Sequence, residues 1–328
     1  MAHKLYQRTV KGAVRFCIAG AMLSLSGCIT VNLIQPPGPV QETVLSGTGD
    51  GKVLLLDLSG VIASQDRDGI IPQPNMLATF KEELSRAAKD DKVKAVVVRV
   101  NSPGGTVTAS DILYHELKTF KAAKRVPVVI SMMDVAASGG YYLAMAGDSV
   151  LVHPSTVTGS IGVIMLTVNA RGLLEKVGVE ANAITSGPRK DMGSPFRMMT
   201  PEEKAIFQSV IDSFYQRFLT VVQEGRPNLS AEQIKKLADG RIYSGEQAKA
   251  AGLVDDIGYL EEAIEQAKKK AGLKEARVVT YRRPGEYQNN IYSHALQGTG
   301  SGFASLANID LLSMVRGGTP QFMYLWMP

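Results

Sequence analysis

The chain has 328 residues, of which 45% are hydrophobic, so it can bury a full core. No tandem halves occur in the sequence, which favours one large domain. The formal charge of +5 lies mostly in the first 28 residues, where four basic residues stand without an acid, and the nearly neutral remainder argues against a nucleic-acid partner. Cys17 and Cys28 are the only cysteines, and the four histidines lack ligand spacing, so we predict no disulfide framework, no metal and no cofactor.

The N-terminal segment has the layout of a secretory signal. A basic stretch is followed by an apolar run from Phe16 to Leu25, which is too short to span a bilayer comfortably. The residues Leu25-Ser-Gly-Cys28 resemble a bacterial lipobox, in which the leader is cut before a cysteine that is then lipidated. We therefore expect residues 1–27 to be a cleaved signal peptide and Cys28 to be lipidated. An uncleaved signal anchor that buries the cysteine is the alternative.

The lipobox resemblance also implies a location. A lipidated chain would be held in the bacterial cell envelope, with its folded body outside the cytoplasm. Ile29 stands where an aspartate would retain a lipoprotein in the inner membrane, which favours the outer membrane over the inner one. Residues 28–50, which are rich in Pro, Gly, Gln, Thr and Ser, are predicted to be the lipidated cysteine and a flexible tether.

The central part of the chain has the pattern of an α/β fold. Short runs of Val, Leu and Ile alternate with stretches of helical period, and buried strands that alternate with helices predict parallel βαβ units. The predicted elements are strands at 53–58, 94–100, 126–131 and 276–280, helices at 76–88, 110–122, 231–238 and 258–270, and a long amphipathic helix after Pro201.

Two pairs of glycines follow predicted strands and precede predicted helices. In Asn101-Ser-Pro-Gly-Gly105, the glycines let a ligand approach outward backbone amides, as an oxyanion hole or a phosphate cradle requires, although any such turn needs glycine. In Ala136-Ala-Ser-Gly-Gly-Tyr-Tyr142, the A-x-S-x-G pattern resembles a nucleophile elbow that would expose Ser138 at a helix N-terminus. An ordinary N-cap is the alternative role for this serine.

A serine nucleophile needs a base within hydrogen-bond reach. His115 and His153 are the histidines of the central part, and His153 has no evident acidic residue to orient it. A lysine serves instead where burial lowers the pKa of its amine toward neutrality. Most lysines are solvated surface charges, so composition and spacing do not choose among those of this chain.

Four motifs follow one another along the chain: Asn101–Gly105, Ala136–Tyr142, Thr158–Gly162 and Ser186–Phe196. In this order and at this spacing along the sequence, they resemble the successive signatures of the signal peptide peptidase A family, whose members are serine-lysine peptidases. The resemblance runs from about Val53 to Ala271. It implies an α/β fold of the ClpP/crotonase type, built from repeated ββα and βαβ units with C-terminal helices, and a peptidase domain at residues 51–281.

The resemblance also implies the roles of the site residues. Ser138 would be the nucleophile and Lys190 the general base, while Ser160 would hold the lysine amine by a hydrogen bond. The oxyanion hole would be formed by the backbone N–H groups of Gly105 and Gly139. The implied reaction is acyl transfer from a peptide to the serine, followed by hydrolysis of the acyl-enzyme.

The lysine motif departs from the family pattern at Pro188-Arg189. Arg189 and Lys190 are adjacent basic residues, and the sequence leaves open which of the two side chains points inward. Arginine stays protonated and does not act as a base. The family further implies a membrane-anchored endopeptidase that hydrolyses short, extended, apolar peptides such as released signal peptides. It also implies a ring- or dome-shaped homo-oligomer that excludes folded proteins from the sites.

Two other functions compete with a peptidase. The same fold hosts acyl-CoA hydratases and isomerases with a similar oxyanion hole, but a secretory leader argues against a cytosolic CoA enzyme. The second competitor is a catalytically dead scaffold or binding lipoprotein. The joint presence of Ser138, Lys190 and Ser160 argues against it.

The last predicted segment is a Gly-rich, irregular tail at residues 282–328 that ends in an apolar cluster, Phe322-Met-Tyr-Leu-Trp326. Burial of such large side chains is favourable, so free exposure of the cluster is not expected. The chain's own body or a neighbouring subunit, the membrane surface, or the groove that binds extended apolar peptides could cover it. We favour a role in subunit assembly.

Overall fold

The structure, a computed structural model, describes residues 38–64, 75–283, 290–293 and 321–327. The predicted signal peptide, Cys28 and most of the predicted tail therefore lie outside the described residues. In the described part of the chain, none of the helices combines the length and the apolar character needed to cross a bilayer.

The described strands and helices follow the predicted order and add several short elements. The strands are β1 Gln41–Ser46, β2 Lys52–Ser59, β3 Val93–Ser102, β4 Gly104–Thr106, β5 Val128–Ala137, β6 Ser149–Val152, β7 Val157–Gly159, β8 Ile164–Met165, β9 Ile242–Ser244, β10 Asp256–Ile257, β11 Arg277–Arg282 and β12 Phe322–Leu325. The helices are α1 Met76–Lys89, α2 Val107–Lys124, α3 Gly139–Ala144, α4 Arg171–Lys176, α5 Pro201–Gly225, α6 Ala231–Leu237, α7 Gly245–Ala250 and α8 Leu260–Lys270.

The centre of the fold is a 9-stranded sheet whose main path runs β1-β11-β2-β3-β5-β6-β10. The strands β2, β3, β5 and β6 pair in parallel, which confirms the βαβ prediction. Strand β7 branches from the end of β5, also in parallel, and pairs with β9. The carboxyl ends of β3, β5 and β7 therefore lie together, and parallel sheets bind ligands at such ends.

Helices cover both faces of the sheet because its central strands are apolar on both sides. Leu54 and Leu56 of β2 belong to the core cluster that includes residues of α1, α2 and α3. Val53 and Leu55 point to the opposite face and pack in a second cluster with α8. This alternation is the period of two expected of a strand, here with both faces buried.

The boundary predicted between tether and body falls too late in the chain. Within the predicted tether 28–50, Gln41–Ser46 forms β1, which pairs antiparallel with β11 at the edge of the sheet. Its residues are mostly half-buried or exposed, so the strand lacks the continuous apolar run that identified the central strands. Main-chain hydrogen bonds to β11 hold β1 in place. Such bonds do not depend on the hydropathy of the side chains, so the sequence pattern gives little indication of them.

A second, 3-stranded sheet has the order β4-β12-β8 and lies at the same end of the molecule as the glycine-rich turns. Its middle strand comes from the tail that was predicted to be irregular. The C-terminal apolar cluster is thus ordered against the chain's own body.

A buried ion pair joins the central sheet to the described residues 290–293. The Arg99 side chain on β3 is 1% exposed, and its guanidinium donates to Asp57 on β2 at 2.8 and 3.2 Å. It also donates to the backbone carbonyls of Ile291 at 2.5 Å and Ser293 at 3.1 Å. A buried cation with this many acceptors is satisfied, and its loss would leave a carboxylate in a nearly dry site without its cation.

We expect Arg99→Ala to lower the free energy of unfolding by about 3 to 5 kcal/mol, because Asp57 would lose its guanidinium partner. Lys94→Ala is the control: it removes an exposed cation from the same strand and should change stability by no more than about 0.5 kcal/mol. Urea denaturation followed by circular dichroism measures both. Equal midpoints for the two variants would show that the buried pair does not hold the sheet.

Candidate active site

Ser138 lies in a strained turn between β5 and α3. Its backbone has φ 52° and ψ −113°, a region that residues with a side chain rarely adopt. Two hydrogen bonds fix it: Ser138 N–H donates to the Gly159 carbonyl, and Tyr142 N–H donates to the Ser138 carbonyl, both at 2.8 Å. A serine forced into this conformation after a strand and before a helix is the geometry of a nucleophile elbow.

The Ser138 side chain is more buried than the sequence predicted. The residue is 1% exposed, and its Oγ has no hydrogen-bond partner among the described residues. A buried hydroxyl without a partner costs free energy, which structural roles avoid. An N-cap serine would bond its own helix, yet Ser138 makes no such side-chain bond, so the N-cap alternative is not supported.

The first glycine pair forms β4 directly beside this elbow. In a parallel bridge, Ile62 donates to the Gly104 carbonyl at 2.8 Å and accepts from Thr106 N–H at 2.9 Å. The amide of Gly105 therefore points to the side away from Ile62. A methyl group on Gly105 would lie 1.9 Å from the Ile62 carbonyl oxygen, so only glycine fits there.

The two glycine turns touch each other, as an oxyanion hole made from both would require. A Cβ atom on Gly104 would lie 2.7 Å from the Gly139 amide nitrogen. A Cβ atom on Gly139 would lie 3.2 Å from Gly104 Cα and 2.3 Å from Ser110 Oγ. Gly139 is the first residue of α3, where backbone N–H groups have no partner within the helix.

Ser160 lies next to Ser138 because their strands are paired in parallel. Ala137 of β5 is opposite Gly159 of β7, and each serine is the residue that follows. Adjacent strands are about 4.8 Å apart, so the two backbones are within side-chain reach. Ser160 also has a positive φ of 48° and donates its N–H to the Arg241 carbonyl at 2.8 Å.

Lys190 is not joined to Ser138 in this structure. It lies in a turn of the segment between β8 and α5, and both Lys190 and Arg189 are exposed. Its backbone N–H donates to Gly187 at 3.2 Å, while its amine makes no hydrogen bond within the described residues. The structure thus brings together Ser138, Ser160 and the two glycine turns, and leaves the predicted base outside this group.

The residues that follow Lys190 are anchored to α5. The Arg197 guanidinium donates to both carboxyl oxygens of Asp191, at 2.7 and 2.8 Å, and also to Glu203. These bonds to Arg197 lower the pKa of Asp191 and of Glu203, so both carboxylates stay charged at neutral pH. Glu203 also completes a capping box with Thr200. The pattern T-P-E-E at 200–203 could have identified this cap, although not its link to the lysine turn.

The two histidines in the described part of the chain, His115 and His153, make their contacts elsewhere. His153 Nδ1 lies 2.8 Å from Ser155 Oγ, and its ring makes an edge contact with Tyr259. His115 is exposed on α2, with Thr119 as its neighbour. Neither contacts Ser138. Within the described residues, no group of three or more His, Cys, Asp and Glu side chains is placed to hold a metal.

The sequence was compared with models of protein families and with known proteins. The model of Peptidase family S49 matches residues 120–274, and the Clp protease model matches residues 73–158. A protein named putative signal peptide peptidase SppA, from Enterococcus faecium, is 39% identical over 243 residues, which are 74% of this chain and 70% of that protein. Protease 4 of Salmonella typhi is 40% identical over 197 residues, or 60% of this chain and 31% of that protein.

Among solved structures, a ClpP1 mutant from Listeria monocytogenes is similar at a TM-score of 0.42 and 18% identity, over 64% of this chain and 94% of that chain. The Clp protease match and the parallel sheet confirm the predicted fold of the ClpP/crotonase type. The two relatives from Enterococcus faecium and Salmonella typhi are named as a peptidase and a protease, so they give the acyl-CoA alternative no support.

The strained turn generates a prediction on stability. We expect Ser138→Gly to be about 1 kcal/mol more stable than Ser138→Ala, because glycine adopts this backbone conformation without a clash between Cβ and the main chain. The control is the pair Ser155→Gly and Ser155→Ala, at an exposed serine without a positive φ, where alanine should be the more stable. Thermal unfolding of the four variants measures both differences, and a less stable glycine variant at position 138 would contradict the strain.

Proposed function

Because the chain belongs to peptidase family S49 and is a serine peptidase, we propose that it hydrolyses peptides with Ser138 as nucleophile and Lys190 as general base. The observation that carries this proposal is the elbow: a serine in a strained turn, with a buried Oγ free of structural bonds, beside two touching glycine turns. A structural serine would not need this combination.

The proposed reaction uses Ser138, Ser160 and the two glycine turns, together with Lys190 from outside this group. Lys190 accepts the proton of Ser138 Oγ, which attacks the peptide carbonyl and forms an ester as the amine leaves with a proton. The amides of Gly105 and Gly139 bind the oxyanion, and water then hydrolyses the ester. Ser160, which lies beside Ser138, orients the lysine amine.

The site lacks its base in this structure, because Lys190 is exposed and Ser138 Oγ has no hydrogen-bond partner among the described residues. The segment that contains it exposes several large apolar side chains, which a soluble surface normally hides. They are Val168, Leu173, Val177, Val179, Ile184, Phe196 and Met198, of which Ile184 is fully exposed. We therefore propose that a second copy of the chain covers this segment in a homo-oligomer and removes the lysine amine from water.

We propose that the substrates are short, extended, apolar peptides such as signal peptides. A relative named signal peptide peptidase supports this class of substrate. We further propose that Cys28 is lipidated and anchors the peptidase in the cell envelope, with the outer membrane favoured over the inner one. The order of basic, apolar and lipobox residues before Cys28 supports this location.

We expect Ser138→Ala and Lys190→Ala each to abolish hydrolysis of a synthetic signal peptide without changing the oligomer, because each removes a reacting group. Ser160→Ala should retain more activity, since it orients the amine and takes no proton. Lys176→Ala is the matched control, because it removes an exposed lysine from the same segment. Peptide cleavage and sedimentation velocity measure the two properties, and only variants with Ser138 should react with a fluorophosphonate probe.

Substantial turnover by the Lys190 variant would exclude the dyad. With a lysine base, activity should rise with pH above neutrality. A profile governed by a group near pH 6.5 and lost in His153→Ala would identify a histidine base instead. A chain that never reacts with the probe would be the dead scaffold.

The membrane anchor has a separate test. In a bacterial host, Cys28→Ser should accumulate as an unprocessed precursor that takes up no labelled fatty acid, because the lipobox would lack its acceptor thiol. Cys17→Ser is the control and should mature as the wild type does. Normal processing and lipid labelling of the Cys28 variant would contradict the lipoprotein proposal.

A further inference from the structure

Ser138 and Ser160 both depend on the end of strand β7. Gly159 is the last residue of β7, its carbonyl accepts the Ser138 backbone N–H at 2.8 Å, and Ser160 is the next residue of the chain. Ser138 has a second anchor, because its own carbonyl accepts the Tyr142 N–H in α3. A displacement of Gly159 would therefore shift Ser160 relative to Ser138, so the contacts that fix the end of β7 also set the distance between the two serines.

Strand β9 borders the end of β7 and bonds to its main chain. The two strands pair antiparallel, with Tyr243 opposite Thr158. The Arg241 carbonyl, directly before β9, accepts the Ser160 N–H at 2.8 Å. Among the described strands, β9 pairs with β7 alone. A pair of three-residue strands is too short to be stable by itself, so side chains must hold β9 against the body.

The Tyr243 side chain joins β9 to the body and contacts Gly159. The residue is buried and belongs to the main core cluster. Its hydroxyl donates to the Leu237 carbonyl, at the end of α6, at 2.8 Å. A Cβ atom on Gly159 would lie 2.5 Å from Cδ2 of the Tyr243 ring, so the ring lies directly against the glycine backbone. A rigid ring that is fixed at its hydroxyl leaves Gly159 little freedom to shift toward β9.

The backbone at this point has a conformation that serine rarely adopts. Ser160 has φ 48° and follows Gly159, whose φ is 85°. A left-handed serine costs free energy and persists only where the surrounding contacts enforce it. The contacts that do so here are its own bond to Arg241 and the Tyr243 ring against the preceding glycine. Strain of this kind is concentrated at functional sites.

We propose that Tyr243 is a positioning residue for the peptidase reaction. Through Gly159, it holds Ser160 at a fixed distance from Ser138. The Lys190 amine, which Ser160 orients in the proposed reaction, can then reach the proton of the nucleophile. The inference rests on the proposed function, because the position of Ser160 affects the rate only if it orients Lys190. A displacement of about 1 Å at such a group can lower the rate by about 100-fold.

The first test compares the steady-state kinetics of the full-length chain and its variants on a synthetic signal peptide. We expect Tyr243→Ala to lower kcat by about 10- to 100-fold and to change KM by less than about threefold, because Ser160 loses its position while the peptide keeps its own contacts. Tyr243→Phe keeps the ring against Gly159 and loses only the bond to Leu237, so its kcat should stay within about threefold of wild type.

Tyr215→Ala is the matched control for the loss of a packed tyrosine. Tyr215 packs against the same core, and its hydroxyl donates to the Ala238 carbonyl, one residue after Leu237, at 2.6 Å. Its removal should also lower the temperature of thermal unfolding, yet leave kcat within about threefold of wild type. Equal losses of kcat in Tyr215→Ala and Tyr243→Ala would overturn the inference. If Tyr243→Ala does not fold, Tyr243→Leu replaces it, because leucine keeps the core apolar and places no ring against Gly159.

A double-mutant cycle tests whether Tyr243 acts through Ser160. In the Ser160→Ala background, Tyr243→Ala should lower kcat by no more than about threefold, because the hydroxyl that Tyr243 positions is already absent. A loss as large as the one in the wild-type background would show that the two residues act independently, and the inference would be wrong.

Amide hydrogen exchange separates this inference from the proposed function. Tyr243→Ala should speed exchange in residues 157–161, where the Ser160 N–H loses its fixed acceptor, while Tyr215→Ala should leave this segment as in wild type. If neither the wild type nor any variant cleaves peptides but this difference is seen, the hold of β9 on Ser160 stands and the peptidase function fails. Unchanged exchange in Tyr243→Ala would overturn the inference and leave the peptidase function standing.

Discussion

The close approach of two glycine turns determines the rest of the site. No Cβ atom would fit between the backbones of Gly104 and Gly139. Because the two turns touch, the backbone N–H groups of Gly139, next to Ser138, and of Gly105 in β4 can face the same space. The strain at Ser138 follows from the same geometry, because the chain must reverse from β5 into α3 at one residue. The surrounding sheet tolerates this strain because its strands are buried on both faces and well paired.

The parallel sheet explains why residues distant in sequence meet at this contact. Strands β3, β5 and β7 end at the same edge, so the residues that follow them become neighbours without any further loop. Ser138 and Ser160 are placed by a register of adjacent residues in β5 and β7. The lysine segment is different, because no strand of the described sheet positions it. It is instead anchored by the ion pairs of Arg197 with Asp191 and Glu203.

Sequence patterns predicted the elements whose signal lies in side chains. The central strands were identifiable because both faces are apolar, and Ser138 because small residues flank it in an elbow pattern. The edge strand β1 and the tail strand β12 were not predicted, since main-chain ladders hold them and their hydropathy is mixed or resembles a generic apolar cluster. The burial of Ser138 was also missed, because it depends on contacts between segments far apart in sequence. No local pattern contains such information.

Two kinds of contact hold the C-terminal strand β12 beside the glycine turns. Main-chain pairing with β4 and β8 depends little on sequence, because every extended segment carries the same backbone groups. The side chain of Tyr324 adds contacts that depend on the residue type, since its ring stacks on Tyr142 and its hydroxyl donates to the Phe214 carbonyl. Tyr142 belongs to the helix that begins after Ser138. The packing of β12 and the strained serine turn are therefore coupled through one short segment.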